Sequence, residues 1–114
     1  MSKIKVLVFV AIVFYASNVI AYSCVGGVNG VHVDESGYIS ASSVAGMSWV
    51  YFCSVSETYN GVTPQTCKVI YASLLSAQLA NKNVRLWFYD TGNCSTHPAW
   101  QQLTGWYWGP SIEN

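Results

Sequence analysis

Alternation of apolar and polar positions runs through most of the chain beyond residue 21, and it changes period once. Val28-Asn29-Gly30-Val31-His32-Val33 reads as a first strand, with Gly26-Gly27 as a bent or bulged start because paired glycines free the backbone. Asp34-Glu35-Ser36-Gly37 is turn chemistry, and Tyr38–Ser42 is a short second strand. Ser48–Ser56 carries the clearest alternation, with Trp49, Tyr51, Cys53 and Val55 on one face and Val50 and Phe52 on the other. Asn60-Gly61 then turns the chain.

At Thr63-Pro64 the period becomes helical: Thr caps, and Pro occupies the first helical position. Ile70, Leu74 and Ala77 form one stripe, and Val69, Leu75 and Leu79 are expected to widen it. Asn81-Lys82-Asn83 supplies a left-handed cap and a cation near the negative helix end. Val84–Tyr89 alternates again, Asp90-Thr91-Gly92-Asn93 turns, and Gln102–Trp108 is expected as a last strand ending at Gly109-Pro110. The predicted order is three strands, a helix and two strands (β-β-β-α-β-β). That order fits a mainly β, five-stranded OB-type barrel with the helix plugging one end.

Composition adds compartment and class. Lys3 and Lys5 precede an apolar run from Val6 to Tyr15, and Val19-Ile20-Ala21 is a small-residue cleavage site, so residues 1–21 read as a secretory signal peptide. The apolar run is too short to span a bilayer, and no later segment stays apolar for about 18 residues, so no membrane span is expected. Tyr22–Asn114 is then one secreted or periplasmic domain, near the size where a core alone is marginal. Its cysteines, Cys24, Cys53, Cys67 and Cys94, are even in number and suit two disulfides. An OB barrel pairs its first and fourth strands antiparallel, which brings Cys24, just before strand one, beside Cys94, just after strand four. It also sets Cys53, late in strand three, against Cys67 in the first helical turn. Of the three connectivities, Cys24–Cys94 with Cys53–Cys67 is the one this topology favours.

Charge and motifs exclude more than they select. Beyond residue 21 only Lys68, Lys82 and Arg85 are strong cations, against Asp34, Glu35, Glu57, Asp90 and Glu113. An exported, slightly acidic domain without a basic cluster argues against nucleic-acid binding, although OB domains can bind oligonucleotides. His32 and His97 stand in no catalytic motif, no C-x-x-C pair suggests zinc, and the carboxylates fall mostly in turns or the tail. Neither enzyme activity nor a metal or cofactor is expected. Five Trp and eight Tyr in so weakly charged a chain instead suit stacking on sugars, subunit contacts or a β-rich core.

Tyr51-Phe52-Cys53, a loop ending at Cys67, Leu75-x-x-x-Leu79-Ala80 and Val84-Arg85-Leu86-Trp87-Phe88 together resemble the binding (B) subunits of the subtilase cytotoxin and typhoid toxin group of AB5 toxins. Tyr22-Ser23, followed by His32-Val33, is similar to the aromatic-Ser opening of their first strand. The resemblance covers roughly Tyr22 to Tyr89 and implies the same OB barrel. It also implies a pentamer of B subunits that binds sialylated or related host glycans and carries a separate catalytic A subunit. Carried over residue by residue, Ser23 would contact sugar with Tyr22 beside it. A glycan-contacting tyrosine of the family falls at Phe88, whose missing hydroxyl Tyr89 would have to supply. The family's late cysteine pair is absent, and Cys24–Cys94 stands in its place. Trp100, Trp106, Tyr107 and Trp108 are further aromatic candidates, Trp106 and Trp108 sharing one strand face opposite Tyr107. The alternative expectation is a secreted OB module that binds a protein partner, as an inhibitor or accessory subunit, without lectin activity.

Overall fold

The computed structural model describes residues 21–114, so the signal-peptide expectation for residues 1–21 falls almost entirely outside the described residues. The described residues are mainly β with one helix: β1 Tyr22–Gly26, β2 Val28–Val33, β3 Tyr38–Val44, β4 Met47–Ser54, α1 Pro64–Ala80, β5 Asn83–Phe88, β6 Gln101–Gln102 and β7 Trp106–Glu113. The strands form a three-stranded sheet, β1-β5-β7, and a four-stranded sheet, β2-β3-β4-β6. Both are open, and the backbone ladder does not close on itself as the barrel expectation required.

The expected first strand is in fact two. β1 pairs antiparallel with β5, Tyr22 facing Phe88 and Cys24 facing Leu86, whereas β2 pairs with β3. Gly27 lies between them, where the chain passes from one sheet to the other. A side chain at Gly26 would meet the backbone of Ala45 and Gly46, at 2.9 Å from the Gly46 nitrogen, so this crossing needs glycine. Cys24 therefore sits inside a strand rather than before it. β3 and β4 form a hairpin closed by Ala45 and Gly46, at φ 51° and 83°, the pair of positive φ values that a two-residue turn matched to strand twist requires.

The helix begins as read: the Thr63 hydroxyl accepts from the Thr66 amide and Pro64 opens the first turn. It ends at Asn81, left-handed at φ 54°, with Lys82 just beyond. Its buried stripe, Cys67, Ile70, Leu74 and Ala77, is narrower than expected. Leu75 is half-buried, and Val69 and Leu79 point to solvent, Leu79 at 83% exposure.

The expected last strand is also divided. Gln101-Gln102 pairs parallel with Val50-Tyr51, and after Gly105 (φ 76°) the chain joins β5 instead. β7 does not stop at Gly109-Pro110 but continues through a cis peptide bond there to Glu113. Being the edge of its sheet, β7 accommodates a residue without an N–H. The core between the sheets holds Ile39, Val50, Phe52, Leu74, Leu86 and Phe88, all essentially inaccessible. Two disulfides join Cys24 to Cys94 and Cys53 to Cys67, each with Cα atoms 5.6 Å apart, the connectivity expected from the strand order. Among the described residues no helix is long and apolar enough to cross a membrane.

Candidate functional site

Among the described residues, two of the surface regions that gather polar and aromatic side chains bear on the expected sugar contacts. The first is the outer face of the three-stranded sheet, where Ser23 was expected to meet a sugar. β pairing sets Ser23 opposite Trp87 and Trp87 opposite Trp108, and Val25 opposite Arg85. The Ser23 hydroxyl already accepts from Arg85 Nη1 at 2.8 Å. Arg85 also donates to both Glu113 oxygens and lies 5.2 Å from the Trp87 ring centre. The bond from Arg85 holds the Glu113 carboxyl below its usual range. Any ligand at Ser23 would have to compete with this arginine.

Tyr22 does not share that face. It stacks on Phe88, ring centres 5.1 Å apart, donates to Asp90 Oδ1 at 2.6 Å and meets His97 Nε2 at 2.9 Å. Burial and then the Asp90 bond push the Tyr22 hydroxyl far above the ordinary tyrosine range. Burial pulls His97 down, with the Asp90 charge opposing it. This cluster pins the loop carrying Cys94 against β1 and β5. Phe88 is fully buried and offers a ligand no surface, which corrects its place among the glycan contacts. Tyr89 lies one residue past β5, exposed, with its ring 5.6 Å from that of Tyr107.

The second region is a cleft of about 360 Å³ on the four-stranded sheet, lined by Asp34, Tyr38, Tyr51, Tyr59, Trp100 and Gln102. Each wall has a local cause. Asp34 closes the β2–β3 turn, its Oδ1 accepting from the amides of Ser36 and Tyr38, which fixes Tyr38 at the start of β3. The Tyr38 hydroxyl donates to Glu57 Oε1 at 2.7 Å, a bond that raises the Tyr38 value, and its ring meets Tyr59 edge-on at 5.0 Å. Tyr51 stands on the half-exposed side of β4, opposite the buried Val50 and Phe52. The long loop after β5 is docked by backbone bonds from Trp100 to Trp49 and from Leu103 to Tyr51. Gln102 donates to Asn60 Oδ1, and Asn60 in turn donates to the Leu103 carbonyl at 2.6 Å.

Trp100, 61% exposed, stacks on Trp49 with ring centres 4.4 Å apart, and the His32 ring lies tilted against Trp49 at 5.4 Å. Trp49 and Trp100 hold φ values of 50° and 65°, and Asn60 holds 56°. Bulky residues in left-handed backbone cost about 1–3 kcal/mol each and persist where surrounding structure over-determines them, commonly at binding sites.

Of the five candidate glycan residues, only Trp100 belongs to this cleft. Tyr38, Tyr51 and Tyr59 escaped sequence reading, although the alternation of Ser48–Ser56, which places Trp49 and Tyr51 opposite Val50 and Phe52, carried the signal for Tyr51. Of the late aromatics, Trp106 packs edge-on to Phe52 while Tyr107 and Trp108 are exposed. Among the described residues no cluster of three or more His, Cys, Asp or Glu could hold a metal ion. No protein-family model matches the chain, and no curated protein or solved structure matches it.

Proposed function

We propose that the protein is an exported, non-catalytic glycan-binding module built on an OB-type barrel. The crossing at Gly27, the antiparallel β1–β5 and β5–β7 ladders and the parallel β4–β6 contact are the strand adjacencies such a barrel uses, and they support this reading of two open sheets. Export is supported by the two disulfides, which persist in oxidising compartments.

The observation that carries the function is the aromatic cleft. Sugars present apolar C–H faces and a ring of hydroxyls. Three tyrosines and a tryptophan beside Asp34 and Gln102 match both features. In the barrel reading the cleft lies on the second and third strands, between the loops that follow the first and fourth, where OB domains bind oligosaccharides. Ser23 and Tyr22 belong elsewhere, so the sugar contacts implied by the toxin resemblance do not support this site.

Delivery of a separate toxic subunit would need an assembly surface, and the outer face of β1-β5-β7, with Val25 and Trp108 exposed beside Trp87, suits one. The same face favours the second reading, a module that binds a protein partner without lectin activity. A glycan array probed with the purified, disulfide-bonded chain, with mass photometry alongside, separates the two. Sugar binding lost in Trp100→Ala supports the lectin. A strict monomer binding no glycan overturns it in favour of the partner-binding module.

A further inference from the structure

The charge around the aromatic cleft narrows its ligand, on the reading of the cleft as a glycan site. Among the described residues no Lys, Arg or His lines it, and its one acidic lining residue is Asp34. Glu57 adds a second carboxylate, held on the Tyr38 hydroxyl. Arg85 lies on the other sheet and is occupied by Glu113, while Lys68 and Lys82 are on and just beyond the helix. Each carboxylate is only half used. Asp34 accepts through Oδ1 and Glu57 through Oε1, and neither Asp34 Oδ2 nor Glu57 Oε2 accepts a hydrogen bond from a described residue. Aromatic faces add to the same bias, since the negative face of Trp and Tyr attracts cations and repels anions.

We propose that the cleft selects non-acidic sugars, prefers a sugar bearing a free amino group over its N-acetylated form, and rejects sialylated ends. An ammonium beside Asp34 gains a carboxylate acceptor and an aromatic wall, and Glu57, held behind the Tyr38 hydroxyl, adds attraction of the same sign. A sialic acid carboxylate there meets like charge, and no cation among the described residues lines the cleft to offset it. This departs from the sialylated ligands implied by the toxin resemblance.

The test is titration of the full disulfide-bonded chain, followed by NMR, with glucosamine, N-acetylglucosamine, lactose and sialyllactose at a pH where the amine is protonated. Glucosamine is expected to bind about two- to fivefold more tightly than N-acetylglucosamine, the range of an exposed charge pair. Sialyllactose is expected to bind more weakly than lactose by a similar factor. Both gaps should shrink at high salt, because exposed charges are screened. They should close in the double variant Asp34→Asn, Glu57→Gln, which keeps the turn-closing and hydroxyl-accepting oxygens. Sialyllactose binding as tightly as lactose, or preferences unchanged in the double variant, overturns the charge selectivity while the glycan reading stands. Failure of all four sugars to bind the folded chain overturns both.

Discussion

Trp100 lies face to face on Trp49, planes 13° from parallel, and both residues hold left-handed backbone. The stack joins the loop after β5 to a left-handed position in β4, and the Trp100 amide donates to the Trp49 carbonyl at 2.7 Å. Trp100 is mostly exposed, so its removal takes little from the core. Trp100→Ala is therefore expected to lower glycan affinity at least tenfold, as truncation of a tryptophan anchor does at a cost of about 2 kcal/mol. Calorimetric titration and a melting scan on the same sample check this. A binding loss that merely tracks a large drop in Tm would refute the anchor role.

The two disulfides constrain loops of very different size, 70 and 14 residues in sequence separation. In the chain-entropy account the Cys24–Cys94 bridge contributes about 4 kcal/mol and the Cys53–Cys67 bridge about 3 kcal/mol. Replacing each pair by alanine should show this order in urea unfolding, with Cys24→Ala, Cys94→Ala losing about 1 kcal/mol more. Equal losses, or the reverse order, would indicate that native-state packing around the buried Cys53 and Cys67 outweighs loop closure.

The disulfides were legible because strand order and spacing placed their ends together, and the helix because Thr63-Pro64 and Asn81 are strong local punctuation. The split of the first strand was not legible. Gly26-Gly27 announces a bend, but whether the chain bulges or changes sheets depends on the Ala45-Gly46 turn that approaches it from distant sequence. The division of the last strand was not legible for a similar reason: Gln101-Gln102 has no apolar alternation and is fixed by the backbone of β4 and by the Asn60 side chain. Ser23 looked free for a ligand because its partner Arg85 is 62 residues away. The cleft was half legible, since Tyr51 follows from alternation and Asp34 from turn chemistry, but Tyr59 and Gln102 arrive through loops.

Acid should loosen the loop that carries Cys94. Burial lowers the folded-state value of His97 below the ordinary histidine value of about 6.5, so the folded chain favours the neutral ring. The unfolded chain takes up the proton first as pH falls. The stability associated with neutral His97 is thus fully present above about pH 6.5 and is lost as pH drops through the folded value. Asp90 opposes the shift and limits its size. Tm is expected to fall from neutral pH towards pH of about 5, and His97→Gln should flatten that segment of the profile. An unchanged slope in His97→Gln would assign the acid sensitivity to another group, with the Arg85–Glu113 pair the first to test.

Gly37 ties the fold to the cleft. It closes the turn bearing Asp34, donating its amide to the Asp34 carbonyl, and its own carbonyl accepts from Val55. Its φ is 88°, and an added Cβ would lie 3.1 Å from Val55 Cγ2 and within clashing distance of the Ser56 hydroxyl. Gly46 has a similar φ of 83° in the β3–β4 hairpin, but a Cβ there meets nothing within 4 Å. Alanine at Gly46 isolates the backbone cost of a left-handed residue, about 1 kcal/mol. At Gly37 the same cost is joined by displacement of the segment leading to Glu57, so Gly37→Ala should lose about 2–3 kcal/mol. It should also weaken glycan binding, since the turn positions both Asp34 and Tyr38, whereas Gly46→Ala should leave affinity unchanged. Paired urea unfolding and sugar titrations on the two variants check this, and equal effects at both positions would show that the Asp34–Gly37 turn does not organise the cleft.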